Sequence, residues 1–402
     1  MKTRFLCLCL LLSLLRGASA QDFFEEVDRA LTISLFGDQV RARFSGLLDL
    51  EYYHFAQPPP GLIRDDDGHD LFNPRLSLFL DAQAGKAFYF FAEARVDSGF
   101  DPTNLGAQVR LDEYALRLTP WPDGRFNLQI GKFATVVGGW VERHLSWENP
   151  FVNAPLPYEA PTLVSDLEVP QTGRSFIGVP GMDKYEFLPI IWGPVYAIGI
   201  SAAGRIGQFE YAAEVKNASV SSRPETWRDY EFKNPAVDLR LGWQPNEAWR
   251  FGISGAEGIY LQPDARPLRS ETEFSDYRQY LIGEDVSYAR GHLQLWAEAF
   301  EARYEIPRLG NSDVFAYYLE GKYKITPQLF GALRWNQELF SAGRDPEGRP
   351  VAHGHDLWRI DAALGYRFTA HTQLKLQYSL ARGDFISNNL NNTFAAQFTI
   401  RF

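Results

Sequence analysis

The chain ends in NNTFAAQFTIRF, residues 391–402. In an extended strand Phe394, Ala396, Phe398, Ile400 and Phe402 share one face, and Thr393, Ala395, Gln397, Thr399 and Arg401 share the other. The aromatic face needs a covering. Lipid provides one, as long as a neighbouring strand pairs the backbone edge. The stretch therefore predicts the closing strand of a membrane β-barrel.

The opposite end agrees. Residues 1–20, MKTRFLCLCLLLSLLRGASA, have a basic start, an apolar core over 5–15 and small residues at Ala18, Ser19 and Ala20. This is the pattern of an export signal removed near residue 20, too short to span a bilayer. Cys7 and Cys9 both lie inside it, so rigidity has to come from something other than disulfides. Without Lys2, Arg4 and Arg16, 37 of the 40 basic side chains remain against 50 acidic ones, a balance of −13 that argues against nucleic acid as a partner. No later run reaches the ~18 apolar residues of a membrane helix. Mean hydropathy is −0.26, yet aromatic residues make up 15% of the chain. Polar on average but rich in rings, the composition suits a barrel in which only alternate residues meet lipid.

Alternation recurs upstream. Val40, Ala42, Phe44, Gly46, Leu48, Leu50 and Tyr52 share one face, while Arg41, Arg43, Ser45, Asp49 and Glu51 share the other. Sixteen such segments can be counted, at 40–52, 71–82, 87–97, 111–119, 125–135, 194–204, 208–218, 236–244, 249–261, 277–289, 292–305, 313–325, 329–340, 356–368, 372–383 and 391–402. Their connections alternate in length. Tight turns at 84–86, 120–124, 205–207, 245–248, 290–291, 326–328 and 369–371 interleave with longer segments, the longest at 136–193. Short turns on one rim and long loops on the other are the asymmetry of an outer-membrane barrel. The expected architecture is an all-β, transmembrane, antiparallel up-and-down barrel over 39–402, preceded by a short periplasmic segment over 21–38.

Three stretches carry a family resemblance: the strand ending at Phe402, FSGLLDLEYYHF at 44–55, and LQIGKFATVVGGWVERHLSWENPFVNAPLPYE at 128–159. Together they resemble bacterial outer-membrane porins, the last being similar to the strand and third loop of the phosphate-selective group. The resemblance implies a third loop folded into the barrel as a constriction, passive diffusion of small hydrophilic solutes and ions, a homotrimer, and a surround of outer-membrane lipid and lipopolysaccharide. It also implies a basic constriction, and here the sequence departs. The third loop offers Arg143, Arg174 and Lys184, beside Glu142, Glu148, Glu159, Asp166, Glu168, Asp183 and Glu186.

Parity assigns the inner face. Arg41, Arg43, Glu51, Glu93, Arg95, Arg117, Glu214, Arg240, Glu298, Arg334, Arg359, Asp361 and Lys375 lie opposite the lipid-facing apolar residues and are the candidate pore lining. Turned to mid-bilayer, an Arg or Lys would cost roughly 2–4 kcal/mol. Glu142, Arg143, His144, Glu148, Glu159, Arg174 and Lys184 are the candidate constriction. Its prolines, at 150, 155, 157 and 161, and its rings, Trp140, Trp147, Phe151 and Tyr158, predict a stiff loop. Both signs in the lumen, with an acidic loop, predict a weak preference for cations. A substrate-selective channel for phosphate or another anion is the alternative. A barrel enzyme needs a nucleophile beside a base, and no such pair assembles from Ser, His and Asp at inward parity. No cofactor or metal site is predicted: His353 and His355 read as loop histidines, and Asp65, Asp66 and Asp67 as a solvated loop tip.

Overall fold

A computed structural model describes residues 26–27, 29–56, 61–63, 68–97, 108–170, 187–223, 235–262, 265, 268, 271–344, 349–352, 354, 356–383 and 390–402. The export signal, Asp65–Asp67, Arg174, Lys184, His353 and His355 lie outside the described residues.

Sixteen antiparallel strands form one closed barrel. They are β1 (Val40–Phe55), β2 (Asp70–Ala84), β3 (Phe88–Asp97), β4 (Gln108–Leu118), β5 (Asn127–Phe133), β6 (Ala197–Ile206), β7 (Phe209–Lys216) and β8 (Ala236–Trp243). The rest are β9 (Trp249–Ile259), β10 (Arg278–Arg290), β11 (Leu293–Tyr304), β12 (Ser312–Lys324), β13 (Leu329–Phe340), β14 (Leu357–Arg367), β15 (Thr372–Arg382) and β16 (Leu390–Arg401). Each coincides with one of the alternating segments, and the short and long connections fall as the sequence places them.

The aromatic ending pairs with the first strand. Leu47 lies opposite Arg401 and Phe55 opposite Thr393. The Gly46 amide donates to the Phe402 carbonyl at 2.8 Å, and the Phe402 amide donates back at 3.1 Å. A Cβ on Gly46 would collide with the Phe402 ring. Below this point β16 is exhausted while β1 continues, and a strand at Thr32–Leu35 takes over its edge, with Thr32 opposite Arg43 and Leu35 opposite Val40. Thr32–Leu35, within the expected N-terminal segment, thus cover the edge of β1 that β16 leaves unpaired.

Outward residues form the lipid face: Leu239, Leu241, Ile282, Leu319, Leu333 and Leu364 are exposed, and near the short-turn rim Trp243, Trp249, Tyr323 and Tyr366 begin an aromatic girdle. Charges also break this face, Glu301 on β11 among them, set between the outward Ile282 and Phe315. Glu284 on β10 points outward between Ile282 and Val286.

Candidate functional site

Residues 134–170 and 187–196, between β5 and β6, turn into the barrel. Their bonds reach side chains of strands nearly all the way round, and these sort by sign. The first part of the loop sits on carboxylates of β7 to β12. The Thr135 hydroxyl donates to Asp238 at 2.9 Å, the Val136 amide to Glu214 at 3.2 Å and the Gly139 amide to Glu298 at 2.6 Å. Arg143 binds Glu320 and donates to the Tyr318 hydroxyl at 3.0 Å, and from further along the loop Tyr158 returns to this side, its hydroxyl donating to Glu298.

The second part sits on cations of β13 to β15. Lys375 Nζ donates to the carbonyls of Ser146, Asn149 and Phe151 at 2.8, 3.0 and 2.9 Å, using all three ammonium protons. Arg334 Nη2 donates to the carbonyls of Asn153 and Ala154, both at 3.1 Å, and Arg359 binds the Ala154 carbonyl and Glu159. Amides on carboxylates and carbonyls on cations are charge-assisted bonds, about twice as strong as neutral ones.

A dry core completes the seat. Trp140, Val141, Tyr158, Leu188, Ile190 and Trp192 from the loop pack against Leu281, Phe300, Tyr304 and Tyr318 of the wall. Tyr158 meets Phe300 edge-on, with ring centroids 5.8 Å apart. Burial of each large apolar side chain contributes roughly 1.5–3 kcal/mol. Gly138 has φ +78, and a Cβ there would strike the Tyr158 hydroxyl, so only glycine lets the loop approach this closely.

The loop leaves space on the other side, against β1 to β7. A cavity of about 600 Å³ is lined by Asp81, Tyr89, Phe91, Glu93, Glu113, Arg117, Glu142 and Glu214 among others. At His144 and Leu145 it adjoins a chamber of about 90 Å³ between the loop and β1 to β4. An ionic network crosses the chamber's barrel wall. Arg75 binds Asp49 at 3.1 Å and Glu51 at 2.7 Å. Arg95 binds Glu93 at 3.0 Å and Asp112 at 3.1 Å. Arg110 binds Asp97 at 3.0 Å and Asp112 at 3.2 Å. His144 marks the neck, with Nδ1 on the Val141 carbonyl at 2.6 Å and Nε2 on the Tyr196 hydroxyl at 2.8 Å. Burial lowers its pKa, favouring neutral imidazole. Burial also raises the pKa of Glu159, against the pull of Arg359.

The residues expected to line a pore therefore divide. Arg95 faces the chamber, Glu93 faces the larger cavity, and Arg117 stands in the larger cavity too, its guanidinium 5.6 Å from the Tyr89 ring centre. Glu51, Glu214, Glu298, Arg334, Arg359, Asp361 and Lys375 are buried. For Glu298, Arg334, Arg359 and Lys375 the reason is direct: the loop covers them and uses their charge. Arg240 pairs with Asp285 at 2.7 Å. Arg41 and Arg43 are exposed at the short-turn end of β1, Arg41 with Asp38 at 3.8 Å. On the loop, Arg143 and Glu159 are bound into the wall, Glu148 is exposed, and Glu142 reaches across to Arg250.

Strict alternation missed Arg75, Arg110, Asp112 and Glu113. A β-bulge opposite Glu93 explains the last two: Glu93 pairs with Glu113 but Ala94 with Leu111. The extra residue, Asp112, binds Arg95 and Arg110, while Glu113 accepts the Ala134 amide at 2.8 Å. Two adjacent carboxylates inside LDEYALRL were the available signal, since alternation can turn only one of them inward.

No family model and no curated sequence matches the chain. Solved structures do. OmpF of Salmonella typhi, in complex with daunomycin, aligns over 92% of this chain and 100% of its own with TM-score 0.59 at 10% identity. The outer-membrane channel DcaP of Acinetobacter baumannii aligns over 92% and 100%, with TM-score 0.58 at 10% identity. The anion-selective porin of Comamonas acidovorans aligns over 90% and 100%, with TM-score 0.57 at 10% identity. At such identities the likeness is one of fold: a barrel of the kind found in outer membranes of Gram-negative bacteria.

Proposed function

We propose that the chain is a porin, passing small hydrophilic solutes and ions by diffusion along the β1–β7 side of its lumen. The observation that carries this is the pair of adjoining hollows left by a loop that fills only the opposite side. Asp81, Glu93, Glu113, Glu142 and Glu214 line the larger one, with Arg117 as counter-charge, which favours cations. Side chains within a screening length of about 8 Å at physiological salt act on a passing ion. Reversal potentials across a planar bilayer test this. A modest cation preference that shrinks at high salt, and moves toward anions in D81N/E113Q, is expected. An open channel with strong anion selectivity overturns it.

That outcome is the second reading, a phosphate-type anion channel, favoured by Arg75, Arg95 and Arg110 around the chamber. Assembly as a homotrimer, in contact with lipid and lipopolysaccharide, is part of the proposal. It is supported by the trimer form of Vibrio cholerae OmpT, a neighbour with TM-score 0.55 at 10% identity. Cross-linking in native membranes tests it, and a monomer ladder alone counts against it.

A further inference from the structure

We propose that the chamber between the loop and β1 to β4 binds a small zwitterion of the two-carbon amino-acid class, resting on the channel reading above. Its lining carries both signs, with Arg75, Arg95 and Arg110 beside Asp49, Asp112 and Glu159. A bare ion entering such a site loses hydration and meets charges of its own sign as well as the opposite one. A molecule carrying both signs meets a complement at each end.

The loop side of the chamber is unsatisfied. Trp140 and Ser146 are each 5% exposed, and neither the indole N–H nor the hydroxyl has a hydrogen-bond partner among the described residues. Glu159 is 1% exposed; its Oε1 is held by Arg359, while Oε2 accepts no hydrogen bond among the described residues. Native proteins seldom leave such groups unpaired, since each costs roughly 1–3 kcal/mol. Across from them Arg95 spends Nη2 on Glu93 and Nε on Asp112. A carboxylate fits beside Arg95, Trp140 and Ser146, and an ammonium beside Glu159. Size sets the upper bound. At a liquid share of about 30 Å³ per water, a chamber of about 90 Å³ takes the bulk of glycine and little more.

The test is block of ionic current. Full-length channels are held in a planar bilayer at neutral pH and titrated with glycine, then with acetate and with methylammonium, each carrying one end of the zwitterion. Saturable block by glycine, with much weaker block by either fragment, is expected. In W140F and S146A the half-blocking glycine concentration should rise about tenfold, the effect of one lost hydrogen bond to a charged group. Tyr378→Phe, on the lipid face, should leave it unchanged. Channels that conduct but ignore glycine, or that respond equally to the fragments, overturn the proposal while leaving the porin reading intact. Absence of any conductance overturns the porin reading itself.

Discussion

At the scale of single residues, Lys375 carries the sharpest consequence. It occupies the inward position that parity gives it, yet its ammonium is spent on three loop carbonyls. Lys375→Met keeps most of the bulk and strands those carbonyls, each at a cost of roughly 1–3 kcal/mol. The segment from Ser146 to Phe151 should loosen, and single-channel conductance should rise; an unchanged conductance would show that the loop is held without it. Neighbouring positions separate parity from access. Cysteine at Leu376 or Tyr378 should react with lipid-soluble thiol probes, because both side chains are exposed on the outer face. Cysteine at Gln377 should stay silent to aqueous probes, because Gln377 is buried and accepts the Val152 amide at 2.6 Å. Aqueous labelling at 377 would mean that the loop is not seated there.

At the scale of elements, the closing strand and the loop core make different demands. Deleting Phe402 removes the last rung of the seam and the ring packed over Gly46. It should impair barrel assembly, read as loss of the heat-modifiable band on a gel, more than substitutions at Ser341, in the connection between β13 and β14. Phe300→Ala should cost about 3–5 kcal/mol against urea, followed by tryptophan fluorescence, whereas Phe394→Ala on the lipid face should cost less. The strands were legible in the sequence because period-two alternation survives wherever lipid lies on one side. The loop's seat was less so. On β11 the inward residues Trp296, Phe300, Ala302 and Tyr304 are apolar around the single carboxylate of Glu298, and on β12 Val314, Ala316 and Tyr318 repeat this ahead of Glu320. Apolar residues on both faces of a barrel strand mean that something dry covers the inner one, and the sequence carried that signal. Which charges the loop would claim was hidden, because Lys375 and Ser146 are 229 residues apart and no local pattern joins them.

At the scale of the whole molecule, those separations set an order of events. The loop precedes every strand from β6 onward, but Tyr158 waits for Glu298, 140 residues downstream, and the Ala154 carbonyl for Arg359, 205 residues downstream. Contacts so distant in sequence form slowly, because ring closure must be accomplished before they stabilise anything. In refolding into detergent, β-sheet circular dichroism should therefore rise before the burial of Trp140 and Trp147, watched in a variant that keeps only those two indoles. Simultaneous phases would argue for a loop docked on a half-built wall. Because the cations that receive its second part belong to the last four strands, the passage cannot acquire its final bore until the two ends of the chain have met. A barrel stalled before that meeting would be a wide, unregulated hole, and the cell's quality control would have a leak to detect rather than a misfolded surface.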